Sequence, residues 1–169
     1  VLKDAEEGAV FLLNAPYLTE AVWEQLPKKI QEELIHKSLK FYVINASKVA
    51  RETGMGSRIN SILQTCFFAI SNVMPKEEAV QYIKDAIKKT YGRKGEEVVQ
   101  KNFKAVDQTL ENLHEIDYSS FAAGNKEIEE PIHGDAPAFV KNVLGKIIAG
   151  EGDDLPVSAF PVDGTYPSG

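Results

Sequence analysis

The chain has 169 residues, 43% of them hydrophobic and 26% charged, with a formal charge of -6. That length suits one domain with a small appendage, and can bury about two-thirds of the unfolded surface. The acidic balance argues against a nucleic-acid or anionic-membrane surface, and no apolar run approaches the ~20 residues of a membrane span.

Two short runs, residues 9–14 and 40–45, are almost continuously apolar and each ends at Asn-Ala, as expected of buried parallel strands. Between them, residues 19–37 read as helix. Thr19 is placed to cap it, Val22, Trp23, Leu26, Ile30 and Leu34 mark one face, and Pro27 starts a second piece. Strand, helix pair, strand is a right-handed crossover, so the fold class is α/β with a parallel sheet. Two strands make an incomplete sheet, and more are expected upstream of Val1. Residues 47–52 form a short helix, broken by Gly54-Met55-Gly56. Ile59, Ile62, Leu63, Cys66 and Ile70 then recur at helical spacing. Pro75 opens the next helix, with Ala79, Tyr82, Ile83, Ala86 and Ile87 on one face, and another runs from about 96 to 114 with Val99, Phe103, Val106, Leu110 and Leu113 inward. After residue 118 the pattern weakens. Residues 119–137 read as a connection, leading to a helix with Phe139, Val140, Val143, Leu144, Ile147 and Ile148 on its apolar side. From Asp153 the chain is expected to be extended, with exposed apolar residues that need another surface. The domain division is thus 1–118 and 119–169. The abrupt Val1-Leu2-Lys3 start and the linker-like ending read as cut ends of something larger.

Acid–base chemistry is thinly represented. His36, His114 and His133 show no metal-ligand spacing, and Glu6-Glu7, Glu32-Glu33 and Glu129-Glu130 read as solvated pairs. The single cysteine, Cys66, excludes an internal disulfide or an iron–sulfur cluster held by this chain alone, suits a reducing compartment, and reads as a buried structural thiol. No catalytic residue and no metal ligand is assigned. The best local feature is Gly54-Met55-Gly56-Ser57-Arg58-Ile59-Asn60, a glycine-bearing loop entering a helix. It suits an anion at the free N–H groups with Arg58 beside them, or, equally, an ordinary Ser57 cap. Asn60 and Asn102 lie just off the apolar stripes of their helices. Either can give and accept hydrogen bonds with an amide-bearing ligand, although spacing alone favours partly exposed polar residues.

The strings Lys40-Phe41-Tyr42-Val43-Ile44-Asn45-Ala46, Met55-Gly56-Ser57-Arg58-Ile59-Asn60, Gln64-Thr65-Cys66-Phe67-Phe68, Lys94-Gly95-Glu96-Glu97-Val98-Val99 and Leu155-Pro156-Val157-Ser158-Ala159-Phe160-Pro161-Val162-Asp163-Gly164, in this order, resemble pyruvate:ferredoxin (flavodoxin) oxidoreductases along the whole chain. The resemblance implies an enzyme that decarboxylates pyruvate on thiamine diphosphate with Mg, passes electrons through [4Fe–4S] clusters to ferredoxin or flavodoxin, and transfers the acetyl group to CoA. It implies a cytoplasmic homodimer in which residues 1–118 are the later part of a γ-type domain. Residues 119–169 would be the connection to a cluster domain, and the other domains of the same polypeptide would be the partners. Of the family's CoA contacts, those matching here are Asn60 and Asn102; the remaining cofactors would lie on other domains. Two further readings stay open. One is a bracing module without ligand contacts. The other is a free-standing phosphate-binding protein built around residues 54–58.

Overall fold

Both apolar runs form strands. In the computed structural model, which describes residues 2–17, 20–129, 131–132 and 134–165 (backbone only at residue 20), β1 spans Val10–Asn14 and β2 spans Lys40–Ile44. They pair in parallel, with Val10 opposite Lys40 and Asn14 opposite Ile44. The helices α1 (Glu20–Gln25) and α2 (Lys28–His36) connect them, divided at Pro27, which has no amide hydrogen and so cannot continue the ladder of α1. The expected Thr19 cap lies outside the described residues.

The continuous apolar character expected of buried strands holds for β2, whereas β1, at the edge of the sheet, is only half-buried and Val10 is exposed. Phe11, Leu13, Phe41 and Val43 point to one side, where they join Val22, Trp23, Leu26 and Leu34 of the crossover. Leu12 and Ile44 point to the other, into a cluster with Val49, Ala50, Met55, Ile62, Cys66 and Ala105. That second layer consists of α3 (Ala46–Glu52), α4 (Asn60–Ile70), α5 (Lys76–Tyr91) and α6 (Glu96–Asn112). A third cluster, Ile83, Ile87, Val99 and Val106, holds α5 to α6. The fold class is α/β. None of the helices among the described residues is long and apolar enough to cross a membrane.

Four further expectations need correction. The sheet has a third strand, β3 (His114–Glu115), antiparallel to β2, so it is mixed rather than purely parallel. Its anchors are tertiary: the Tyr42 hydroxyl donates to Glu115 Oε2 at 2.9 Å and the Ile116 amide to Phe41 O at 2.8 Å. On α5, Tyr82 is 62% exposed and Ala86 is also exposed. At 100° per residue the buried stripe is centred between Ala79, Val80, Ile83 and Ile87, which turns both of them outward. The last helical segment does not run as a plain α-helix. Val140–Leu144 is a π-helical turn that shifts the face before α7 (Gly145–Ile148), burying Gly145 and leaving Ile147 and Ile148 exposed. Finally, the C-terminal stretch is folded locally into 3-10 turns at Gly152–Asp154 and Val157–Ala159, although Val157 is exposed as expected.

The described residues fall into two units, Leu2–Lys126 and Glu127–Gly169. Residues 119–126 belong to the first because they are hydrogen-bonded to its helices. The Trp23 indole donates to Ala122 O at 3.0 Å, the Gly124 amide to Gln31 Oε1 at 2.6 Å, and the Lys28 amide to Lys126 O at 2.6 Å. What reads as a polar connection in sequence is thus strapped across α1 and α2.

Candidate functional site

The loop between α3 and α4 is set by its glycines. Gly54 lies at φ 75, where a side chain is strained, and the chain closes α3 with Gly54 N–H to Arg51 O at 3.2 Å and Met55 N–H to Ala50 O at 2.8 Å. This bond pair ends a helix through a left-handed residue, and the buried Met55 supplies the usual apolar contact back to it. Gly56, at φ 65, turns the chain again into α4. Ser57 does not cap α4: the N-cap position is Ile59, without a side-chain hydrogen bond, and Ser57 is exposed. The first turn of α4 is therefore uncapped, with Arg58 exposed beside it.

Asn60 is the first residue of α4 and is exposed. Asn102 lies midway along α6, 1% exposed, on the stripe with Val99, Ala105, Val106 and Thr109. Burial of Asn102 differs from the partly exposed position that spacing favours. Its Nδ2 donates to Val98 O one turn back at 2.7 Å, which satisfies the donor locally and lets the amide sit inside. Its Oδ1 is buried with no hydrogen-bond partner. Leaving a buried carbonyl unpaired costs about 1–3 kcal/mol, so this atom is an acceptor in want of a donor. The helices carrying the two asparagines pack on each other. The Gly54 loop also touches the Asn102 region: a Cβ at Gly54 would lie 3.6 Å from Lys101 Cδ and Cε. The two residues thus lie on packed helices, Asn60 open to solvent and Asn102 covered.

The other candidates are placed elsewhere. Cys66 is fully buried in α4, and burial pushes its thiol up to about 12, which suits a structural role. His36 ends α2 and His114 lies in β3, while His133 and Glu130 lie outside the described residues. Glu32 pairs with Lys28 on an exposed face, whereas Glu33, expected to be solvated, is half-buried against Lys37, whose ammonium also donates to Leu2 O and Lys3 O. Sequence reasoning passed over Gln31, which is 1% exposed and joins Trp23 O to the Gly124 amide. A polar residue within the Trp23–Leu34 apolar stripe is the signal that marks it. An open cleft of about 720 Å³ lies at the start of β2, lined by Ile35, Leu39, Phe41, Ile116, Tyr118 and Phe121.

Residues 1–112 match the family model described as pyruvate ferredoxin/flavodoxin oxidoreductase, and residues 125–169 match EKR, a domain of unknown function. Among curated relatives, the chain is 52% identical to a putative pyruvate-flavodoxin oxidoreductase of Synechocystis sp., covering 99% of the chain and 14% of that protein. It is 54% identical to a pyruvate-flavodoxin oxidoreductase of Trichormus variabilis, covering all of the chain and 14% of the relative. It is 45% identical to the pyruvate:ferredoxin oxidoreductase of Moorella thermoacetica, with the same coverage of both. The chain therefore spans about 14% of the length of these relatives.

Proposed function

The chain belongs to the pyruvate ferredoxin/flavodoxin oxidoreductase family, and on that premise we propose that it is one segment of an enzyme converting pyruvate and CoA to acetyl-CoA and CO2. Two electrons leave for ferredoxin or flavodoxin. The names of the relatives support this reaction class. Within that enzyme, a homodimer of the cytoplasm, residues 1–118 form the γ-type domain that contacts CoA, and residues 119–169 lead on to a cluster domain and dock against the rest of the polypeptide.

Thiamine diphosphate with Mg supplies the decarboxylation chemistry of such an enzyme, and [4Fe–4S] clusters its electron path. This chain alone does not fit a [4Fe–4S] cluster. Its one cysteine is buried and held protonated, and no cluster of three or more His, Cys, Asp or Glu suited to a metal occurs among the described residues. Both groups belong, on this reading, to the other domains.

CoA is a different matter, and the observation that carries its assignment is the orphaned Asn102 Oδ1. The pantetheine arm of CoA offers amide N–H donors, and a buried carbonyl held by its own Nδ2 bond to Val98 O is an acceptor already oriented. Asn60, exposed at the start of the adjacent helix, is free to meet the same arm outside. In the geometry described, Asn102 is covered, so contact with a ligand requires a local shift; the loop with left-handed Gly54 and Gly56 lies against its neighbour Lys101. The domain then acts by holding the thiol donor in place, a positioning task that needs no acid or base of its own. Equilibrium binding of CoA to the full-length enzyme tests this. Asn60→Ala and Asn102→Ala should each weaken binding, and unchanged affinity in both would leave the bracing role as the better reading.

A further inference from the structure

The second unit contains a cleft for which the CoA role has no use. One wall is formed by Pro131, Ile132 and Gly134, with Ile132 laid directly on the helix at Gly145, where a Cβ would stand 3.3 Å from Ile132 Cγ1. The other wall is the π-helical turn Val140–Leu144 with α7, in which the Gly145 amide donates to Val140 O five residues back. Beyond α7, left-handed Gly150 (φ 77) reverses the chain. Gly150 N–H bonds Ile147 O at 3.1 Å and Glu151 N–H bonds Lys146 O at 2.8 Å, a helix-closing pair that brings Glu151 back to the cleft. The cleft is open to solvent, with a volume of about 350 Å³, lined by Pro131, Ile132, Lys141, Gly145, Lys146 and Ala149, with Glu151 also on its wall.

The π turn decides the chemistry of this cleft. In an α-helix, residues five apart stand roughly 140° from each other around the axis, on different faces. The wider turn, closed by an i to i+5 bond, brings Lys141 and Lys146 onto the same cleft. Neither lysine forms an ion pair among the described residues. Among the described lining residues, two cations against the one carboxylate of Glu151 leave a net single positive charge. The remaining lining is apolar and small, and the volume lies at the lower end of the range for small-molecule sites.

We propose that this cleft binds a small organic monocarboxylate. The carboxylate sits between the Lys141 and Lys146 ammonium groups, and its compact apolar body lies against Pro131, Ile132 and Ala149. A single charge balances the cleft, whereas Glu151 opposes entry of polyphosphates. The site is independent of the CoA assignment and stands in the part of the chain that matches a domain of unknown function.

The test is calorimetric titration of the full-length protein with benzoate at low ionic strength, and with inorganic phosphate as a charge without an apolar body. Saturable benzoate binding is expected, weakened at least five-fold by the double substitution Lys141→Gln/Lys146→Gln. Both lysines are exposed, so the substitution leaves the fold intact, and Ala149→Phe, which fills the cleft from its apolar side, should also abolish binding. Absence of saturable binding, or equal affinity in the double variant, overturns the proposal. Displacement of benzoate by equimolar phosphate also overturns it, because a site for phosphate would not need the apolar wall.

Discussion

Gln31 is the side chain on which the docking of residues 119–126 most depends. It is buried, with Nε2 donating to Trp23 O at 2.7 Å and Oε1 accepting from the Gly124 amide at 2.6 Å. Replacing it by Met keeps the length and most of the volume but removes both polar atoms, stranding the Gly124 amide on the strap, while Trp23 O on α1 keeps its bond from the Leu26 amide at 3.1 Å. The stranded amide costs about 1–3 kcal/mol when it stays buried, and relaxation toward solvent recovers part of that. A net loss of about 1–2 kcal/mol is expected, which by the tenfold-per-1.4 kcal/mol relation reduces protection of the strap roughly 5- to 30-fold. Hydrogen exchange followed by mass spectrometry, on a peptide spanning residues 119–126, reads this directly in the full-length protein. Gln31→Ala should lose at least as much, since a cavity is added. Protection within two-fold of wild type in both variants would refute the reasoning, and would mean that the Trp23 contacts with Tyr118 and Phe121 hold the strap unaided.

Two further perturbations follow from the same geometry. Because burial raises the Cys66 thiol from its ordinary value of 9.0 to about 12, the folded chain should resist alkylation at neutral pH and be labelled only on unfolding. With the folded value above the unfolded one, the contribution of Cys66 is complete below pH 9.0 and is lost as pH rises toward about 12, so urea midpoints of wild type should fall further across that window than those of Cys66→Ala, in which Tyr42 and Tyr118 still titrate. Gly54→Ala meets only ordinary contact with Lys101, so its cost should be the left-handed backbone strain alone, about 1–2 kcal/mol in urea unfolding; a neutral result would show that the loop relaxes freely.

Much of the fold is legible in the residues because its elements obey local rules. β1 and β2 are read from continuous apolar runs that feed clusters on both sides of the sheet, and Pro27 and Pro75 mark helix starts by chemistry alone. β3 is not legible. Two residues, one of them Glu115, have no periodicity, and their pairing is set by Tyr42 and by the Ile116 amide meeting Phe41 O. The π turn is hidden for a similar reason. The apolar spacing of residues 139–148 fits a plain helix, and the close approach of Ile132 to Gly145 is a contact between distant residues. At the candidate site, glycine positions and their turns are readable, but the burial of Asn102 is not. Its own helix satisfies the donor, so an amide stands where the pattern predicts a polar flank. The identity of a ligand for Asn60 and Asn102 comes only from the resemblance, because an amide pairs equally well with many partners.

Whether this segment holds the acyl acceptor is tested most directly by a CoA titration of the full-length enzyme carrying Asn102→Ala, with pyruvate saturating and the CoA-independent half-reaction followed in the same samples. The substitution removes the unpartnered carbonyl together with the Nδ2 bond to Val98 O and leaves a small cavity, so urea unfolding of the variant is measured alongside to separate a folding loss from a change in CoA dependence. The predicted result is a CoA requirement raised about 5- to 150-fold, the 1–3 kcal/mol of one lost buried hydrogen bond, with the half-reaction unchanged. An unchanged CoA requirement, or an equal fall in both reactions, would contradict the assignment and leave this chain as the brace between its neighbours.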